Sequence, residues 1–289
     1  MENKENPIFG RKIFFLNPSF VMEHFVLEHL KKNEYEVYLL NDIRKVKAVL
    51  CANPNSMLFI NIDSEMSYSR WFNFVTSFSG LQELESIHIG LVSEKAGWED
   101  REKFSANLDL KAGFIHIERK DDKLLNQFVD ILEEHGAKGR RKYLRLDTRL
   151  QKDVSGYMSA AGRLYTFDVR DISSAGFAIT YKKEIINLFQ KNTLVRNLSL
   201  SVGRKSMVCS CIVFNTQLNT DGTAMSVLML TNENPESSRN YIRNYIFEKY
   251  NAKMSVLIND ADKDTASYSD PDTFSKLKVE ARRNEEDDD

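Results

Sequence analysis

The feature that most constrains this chain is a change of hydrophobic period at His135–Gly139 (HGAKG). Before it, short apolar runs alternate with segments whose apolar residues recur every three to four positions. After it, apolar and polar residues alternate with period two. Side chains repeat on a helix face about every 3.6 residues and on a strand face every two. The two halves therefore call for different architectures. The 289 residues suffice for two domains of the common size of about 100–150 residues.

In the first half, Lys12–Asn17, Glu36–Leu40, Ser56–Asp63, Ile87–Val92 and Phe114–Ile117 read as strands. Phe20–Lys32, Ile43–Ala52, Trp71–Ser79, Lys103–Leu110 and Asp122–Glu134 read as the helices between and after them. Strands alternating with helices of about ten residues predict an α/β fold with a parallel, doubly wound sheet. Gly136 stands where a helix C-terminal cap is expected. The predicted division is a first domain over 1–136, a linker over 137–139, a second domain over 140–253 and an acidic, disordered tail over 254–289.

In the second half, Arg163–Val169, Gly176–Tyr181, Leu194–Val202, Ser206–Asn215 and Thr223–Leu230 alternate with period two. Turn signals at Asn192–Thr193, Val202–Arg204 and Asp221–Gly222 separate some of them. About six strands at this spacing predict a small β-barrel. Ser237–Tyr250 reads as a helix with Tyr241, Ile242, Tyr245 and Ile246 on one face.

The balance of 40 Lys+Arg against 42 Asp+Glu leaves a net charge of −2, which gives no whole-molecule footprint for nucleic acid or anionic membrane. A 42% hydrophobic content supports an ordinary core. No apolar run approaches the roughly 20 residues of a membrane span, and Met1–Arg11 lacks the apolar centre of a signal peptide. Cys51, Cys209 and Cys211 fit reduced structural thiols in a cytoplasmic protein. The five histidines show no ligand spacing, so neither a metal nor a cofactor is expected. No HExxH, Ser/His/Asp order or glycine-rich phosphate loop is present, and the reading is not that of an enzyme.

Two short motifs stand out in the second half. Arg140-Arg141-Lys142-Tyr143-Leu144-Arg145 forms RRxxxR directly after the period change, and Asp171-Ile172-Ser173-Ser174-Ala175-Gly176 forms DxSxxG between two strand-like segments. Together, in this order and with this spacing, they resemble the two signature motifs of PilZ domains. The resemblance covers about Gly139–Lys253 and implies a receptor for cyclic di-GMP. It assigns ligand contacts to Arg140, Arg141, Arg145, Asp171, Ser173 and Gly176.

The chemistry of those residue types suits such a ligand. Guanidinium groups fork onto phosphate or onto guanine O6 and N7, or stack over a base. Asp171 can accept from the guanine N1–H and N2–H₂ edge, and Ser173 can donate to a phosphate or to base N7. Gly176 allows a backbone approach that a Cβ would block.

The strand–helix order of the first half resembles a response-regulator receiver. Asn61 falls at the family's phosphoacceptor position, with Asp63 two residues beyond, Ser93 at its Ser/Thr position, and Arg119-Lys120 in reach of its Lys. An amide accepts no phosphoryl group, and Asn17-Pro18 supplies none of the acidic pair that would hold Mg²⁺. The expectation is a receiver-like scaffold for protein contact. In the resulting picture, nucleotide binding at the interdomain junction changes domain arrangement and a partner interaction, with an output in motility, biofilm or virulence. The alternative is a nucleotide-independent adaptor built on a PilZ-like scaffold.

Overall fold

The computed structural model describes residues 9–266, 268 and 274–277. The chain divides into two compact units. One comprises residues up to Arg141 together with those from Val256 on; the other is Lys142–Ser255.

The first unit carries strands β1 (Ile13–Leu16), β2 (Val37–Leu40), β3 (Met57–Asn61), β4 (His88–Ser93) and β5 (Phe114–His116), and helices α1 (Glu28–Lys32), α2 (Val46–Cys51), α3 (Tyr68–Thr76), α4 (Trp98–Asn107) and α5 (Asp122–Glu134). The sheet is parallel throughout, in the order β2-β1-β3-β4-β5. This is the doubly wound arrangement expected of a receiver-like domain. Strands β1 and β3 are buried along their whole length, as continuous apolar runs must be when helices cover both faces. Phe128 of α5 packs on Phe15 and Phe59, which stack at 5.3 Å between centroids. Gly136 (φ +63°) ends α5, with the Ala137 N–H donating to Leu132 O at 2.8 Å, the cap expected from the sequence.

The second unit begins with the two-residue β6 (Leu146–Asp147), followed by β7 (Val154–Ala160), β8 (Arg163–Ser173), β9 (Gly176–Lys182), β10 (Leu194–Val202), β11 (Lys205–Leu218) and β12 (Thr223–Leu230). All pair antiparallel in the order β6-β8-β7-β10-β11-β12-β9. The β8–β9 pairing closes six of them into the expected barrel. A 3₁₀ turn, Lys183–Phe189, places the fully buried Phe189 against Tyr181 at 4.6 Å. Helix α6 (Glu236–Asp260) adds Ile242, Tyr245 and Ile246 to the barrel core. Cys209 and Cys211 both point inward, because residues two apart share a strand face.

Several expectations are corrected. Helix α4 starts at Trp98 rather than Lys103, since Gly97 is extended at its N-cap and Glu99 and Asp100 suit a first turn. The chain passes between the two compact units at Arg141/Lys142 and at Ser255/Val256, against 136 and 253 expected from the sequence. The tail expected to be disordered from 254 is helical to Asp260, and beyond it Tyr268 and Phe274 are buried. The acidic end, 278–289, lies outside the described residues.

Candidate functional site

The DxSxxG segment is the hairpin between β8 and β9. Ser173 pairs with Gly176, and Ser174-Ala175 make the turn. A β-bulge between Val169 and Asp171 interrupts the register with β9. Before it, Phe167 and Val169 face the core; after it, Ile172 does. The bulge thus shifts the alternation by one residue and turns Asp171 and Ser173 away from the barrel core, Asp171 half-buried and Ser173 buried. Thr148, itself buried, pins the bulge. Its hydroxyl donates to Val169 O at 2.6 Å and its N–H to Arg170 O at 2.9 Å.

Strand β6 then joins the two motifs. Leu146 pairs with Ile172 and Asp147 with Asp171, so Arg145 immediately precedes the pairing at the Ser173 end. The Arg145 carbonyl accepts from the Tyr250 hydroxyl of α6 at 2.6 Å, which fixes the segment through its backbone and leaves the exposed guanidinium outside that contact. Next to Asp171, Asp147 is forked by Arg149, which holds its carboxyl down at about pKa 2. Arg140 and Arg141 are exposed and belong to the first unit. The Arg141 guanidinium lies 4.8 Å from the centroid of Phe9, a stacking contact of the kind it could also make with a base.

Ser173 and Gly176 carry structural duties as well. The Ser173 hydroxyl is buried and donates to Gly176 O at 2.9 Å. As placed, it offers an incoming group acceptor lone pairs rather than its proton. A Cβ on Gly176 would stand 2.2 Å from Leu228 O of β12, so the close approach expected of this glycine is to the neighbouring strand. Ser173→Ala is expected to cost about 1 kcal/mol of barrel stability, the usual net value of one such bond, read as a lower denaturant midpoint with unchanged slope.

Sequence reasoning missed Arg239. Its guanidinium donates to Ser174 O at 3.1 Å, Leu230 O at 3.1 Å and Thr231 O at 2.9 Å, tying the motif hairpin to α6 and the end of β12. The only signal was a cation one turn inside a predicted helix, which is ordinarily solvated.

In the first unit, Asn61 ends β3 and donates to Asn17 O at 2.9 Å. Ser93 donates to one carboxylate oxygen of Asp63, and the Glu94 N–H donates to the other at 2.6 Å. The Ser93 oxygen also accepts the N–H groups of Lys95 and Ala96, so Asp63 and Ser93 together fasten the loop leading to α4. Lys120 lies over Phe25 at 5.1 Å. No cluster of His, Cys, Asp or Glu among the described residues could hold a metal ion. With Asp63 committed to two donors, incubation with a small phosphodonor is expected to add no phosphoryl mass; a gain mapped to Asp63 would contradict this.

No family model matches the chain, and no curated protein matches it. Solved structures do. The MrkH–c-di-GMP complex of K. pneumonia is 20% identical, covering 40% of this chain and 55% of that one, with a TM-score of 0.36. The chain thus spans about half of that protein. The c-di-GMP-bound PilZ domain of YcgR from Escherichia coli is 12% identical, covering 42% of this chain and 99% of the other, with a TM-score of 0.34. The chemotaxis response regulator CheY4 of Vibrio cholerae is 15% identical, covering 43% and 99%, with a TM-score of 0.35. The fold assignment itself rests on strand order and pairing. No helix among the described residues is long and apolar enough to cross a membrane.

Proposed function

We propose that this protein is a receptor for cyclic di-GMP, with the nucleotide held on the barrel unit's DxSxxG hairpin and by the arginine segment that leads into it. The observation that supports this reading is the β6–β8 pairing of Leu146 with Ile172 and Asp147 with Asp171, which runs the arginine segment alongside the strand end that carries Asp171 and Ser173. Arg145 and Arg141 serve the phosphates or the guanine O6/N7 edge, Arg140 adds charge, and Asp171 accepts from the guanine N1–H and N2–H₂ edge. Gly176 keeps the hairpin close to β12. The role this set of residues suits is binding.

Signal output follows from the place of the arginines, on the stretch of chain where one unit passes into the other. Ordering that stretch around a ligand selects among domain arrangements by differential contacts, and the receiver-like unit presents the changed state to a protein partner. The test is thermal unfolding with and without nucleotide. Cyclic di-GMP at about a hundredfold above its Kd is expected to add about 2.7 kcal/mol to the barrel's stability, whereas GMP at the same concentration adds far less. Equal shifts from both would refute recognition of the cyclic dinucleotide.

A further inference from the structure

Beyond α6, the chain returns to the first unit through three separated anchors. The Asp264 N–H donates to Arg44 O at 2.7 Å, and its carboxylate pairs with Lys47 at 3.1 Å. Tyr268 is edge-on to Phe74 at 5.2 Å, lies under the Lys47 ammonium, and accepts at its carbonyl from Asn73 at 3.2 Å. Phe274 sits 4.5 Å from Phe104 and close to Tyr68 and Phe72, with Lys103 over its ring at 5.7 Å. Tyr68 and Phe72 each also pack on Phe104. Phe274 therefore fills a preformed aromatic recess between α3 and α4 rather than completing a layer.

Aromatic anchors in pockets and a carboxylate facing a lysine are the pattern of a peptide docked on a folded surface. We propose that the α2–α3–α4 face of the receiver-like unit is a docking site for a segment bearing aromatic anchors and an acidic residue, and that this chain occupies it in cis with its own Asp264, Tyr268 and Phe274. Lys47 selects for acidic character, and the recess, with Lys103 over it, selects for an aromatic ring. A partner segment of the same chemistry reaches this face only by displacing the tail. The inference is independent of the nucleotide reading.

The test uses the full chain with a protease site inserted between Asp262 and Lys263. After cleavage the C-terminal fragment is expected to co-elute with the remainder. Excess synthetic peptide spanning Asp264 to Leu277 is expected to displace it, and a peptide carrying Phe274→Ala should do so about thirtyfold less effectively. Lys47→Glu should weaken retention, and Asp264→Lys in the same chain should restore it. Loss of the fragment on cleavage, with circular dichroism unchanged, overturns the proposal. So does a fragment that no excess of peptide displaces, which would make the segment fixed core. A concentration-dependent dimer of the uncleaved chain would place the tail on a second copy and overturn the cis assignment.

Discussion

Replacing Arg141 and Arg145 together by Ala is expected to weaken cyclic di-GMP binding by about a hundredfold or more while leaving the unfolding of the barrel unchanged. A hydrogen bond to a charged group contributes about 1.5–3 kcal/mol, and each 1.4 kcal/mol is a factor of about ten. Two lost guanidinium contacts therefore account for the size of the effect. Stability is spared because both side chains are exposed and because the bond that anchors the segment runs from Tyr250 to the Arg145 backbone, which Ala retains. A variant that binds as tightly as the parent would remove the arginines from the site. One that loses the barrel's cooperative unfolding would show the segment to be structural.

Gly176→Val carries the second large effect, on folding. The added Cβ meets a backbone carbonyl at 2.2 Å, and backbone cannot rotate aside as a side chain can. Strands β9 and β12, paired through Gly176 and Met229, must separate at that end of their pairing. Overpacking of this kind costs about 1–3 kcal/mol and occasionally more, and the upper end is expected here because a strand pairing is disturbed. Trp71 and Trp98, the chain's two tryptophans, lie in the first unit. Tryptophan fluorescence should keep its denaturant midpoint while the far-ultraviolet β signal unfolds earlier. Coincident, unshifted transitions would mean that the hairpin accommodates the side chain.

How much of this was legible in the sequence depended on whether a residue's role was set by its neighbours in the chain. The α5 cap at Gly136, the two periodicities and the shared face of Asp171 and Ser173 are local, and each could be read directly. Strand β7 escaped because Gly156 stands at an inward position and the aromatic Tyr157 at an outward one, although Val154, Gly156 and Met158 all face inward. The bulge at Arg170 also went unread: a one-residue change of face leaves no compositional trace when its pin, Thr148, lies just past β6, some twenty positions earlier in the chain.

Long-range partners account for the remaining differences. Arg239 looks like any helix-surface cation until its three carbonyl acceptors are brought to it. Tyr268 and Phe274 are single aromatics in polar surroundings, a composition that reads as disordered. Tyr268 is buried against Phe74, and Phe274 in a recess built from Tyr68, Phe72 and Phe104, some two hundred positions away for the first two.

The most direct test of the central claim is isothermal titration of the full chain with cyclic di-GMP. Saturable heat, with a stoichiometry that distinguishes one bound nucleotide from a stacked pair, is the predicted result. A cooperatively folded barrel that gives no heat and no thermal shift at high nucleotide would contradict the receptor reading and leave the nucleotide-independent adaptor in its place.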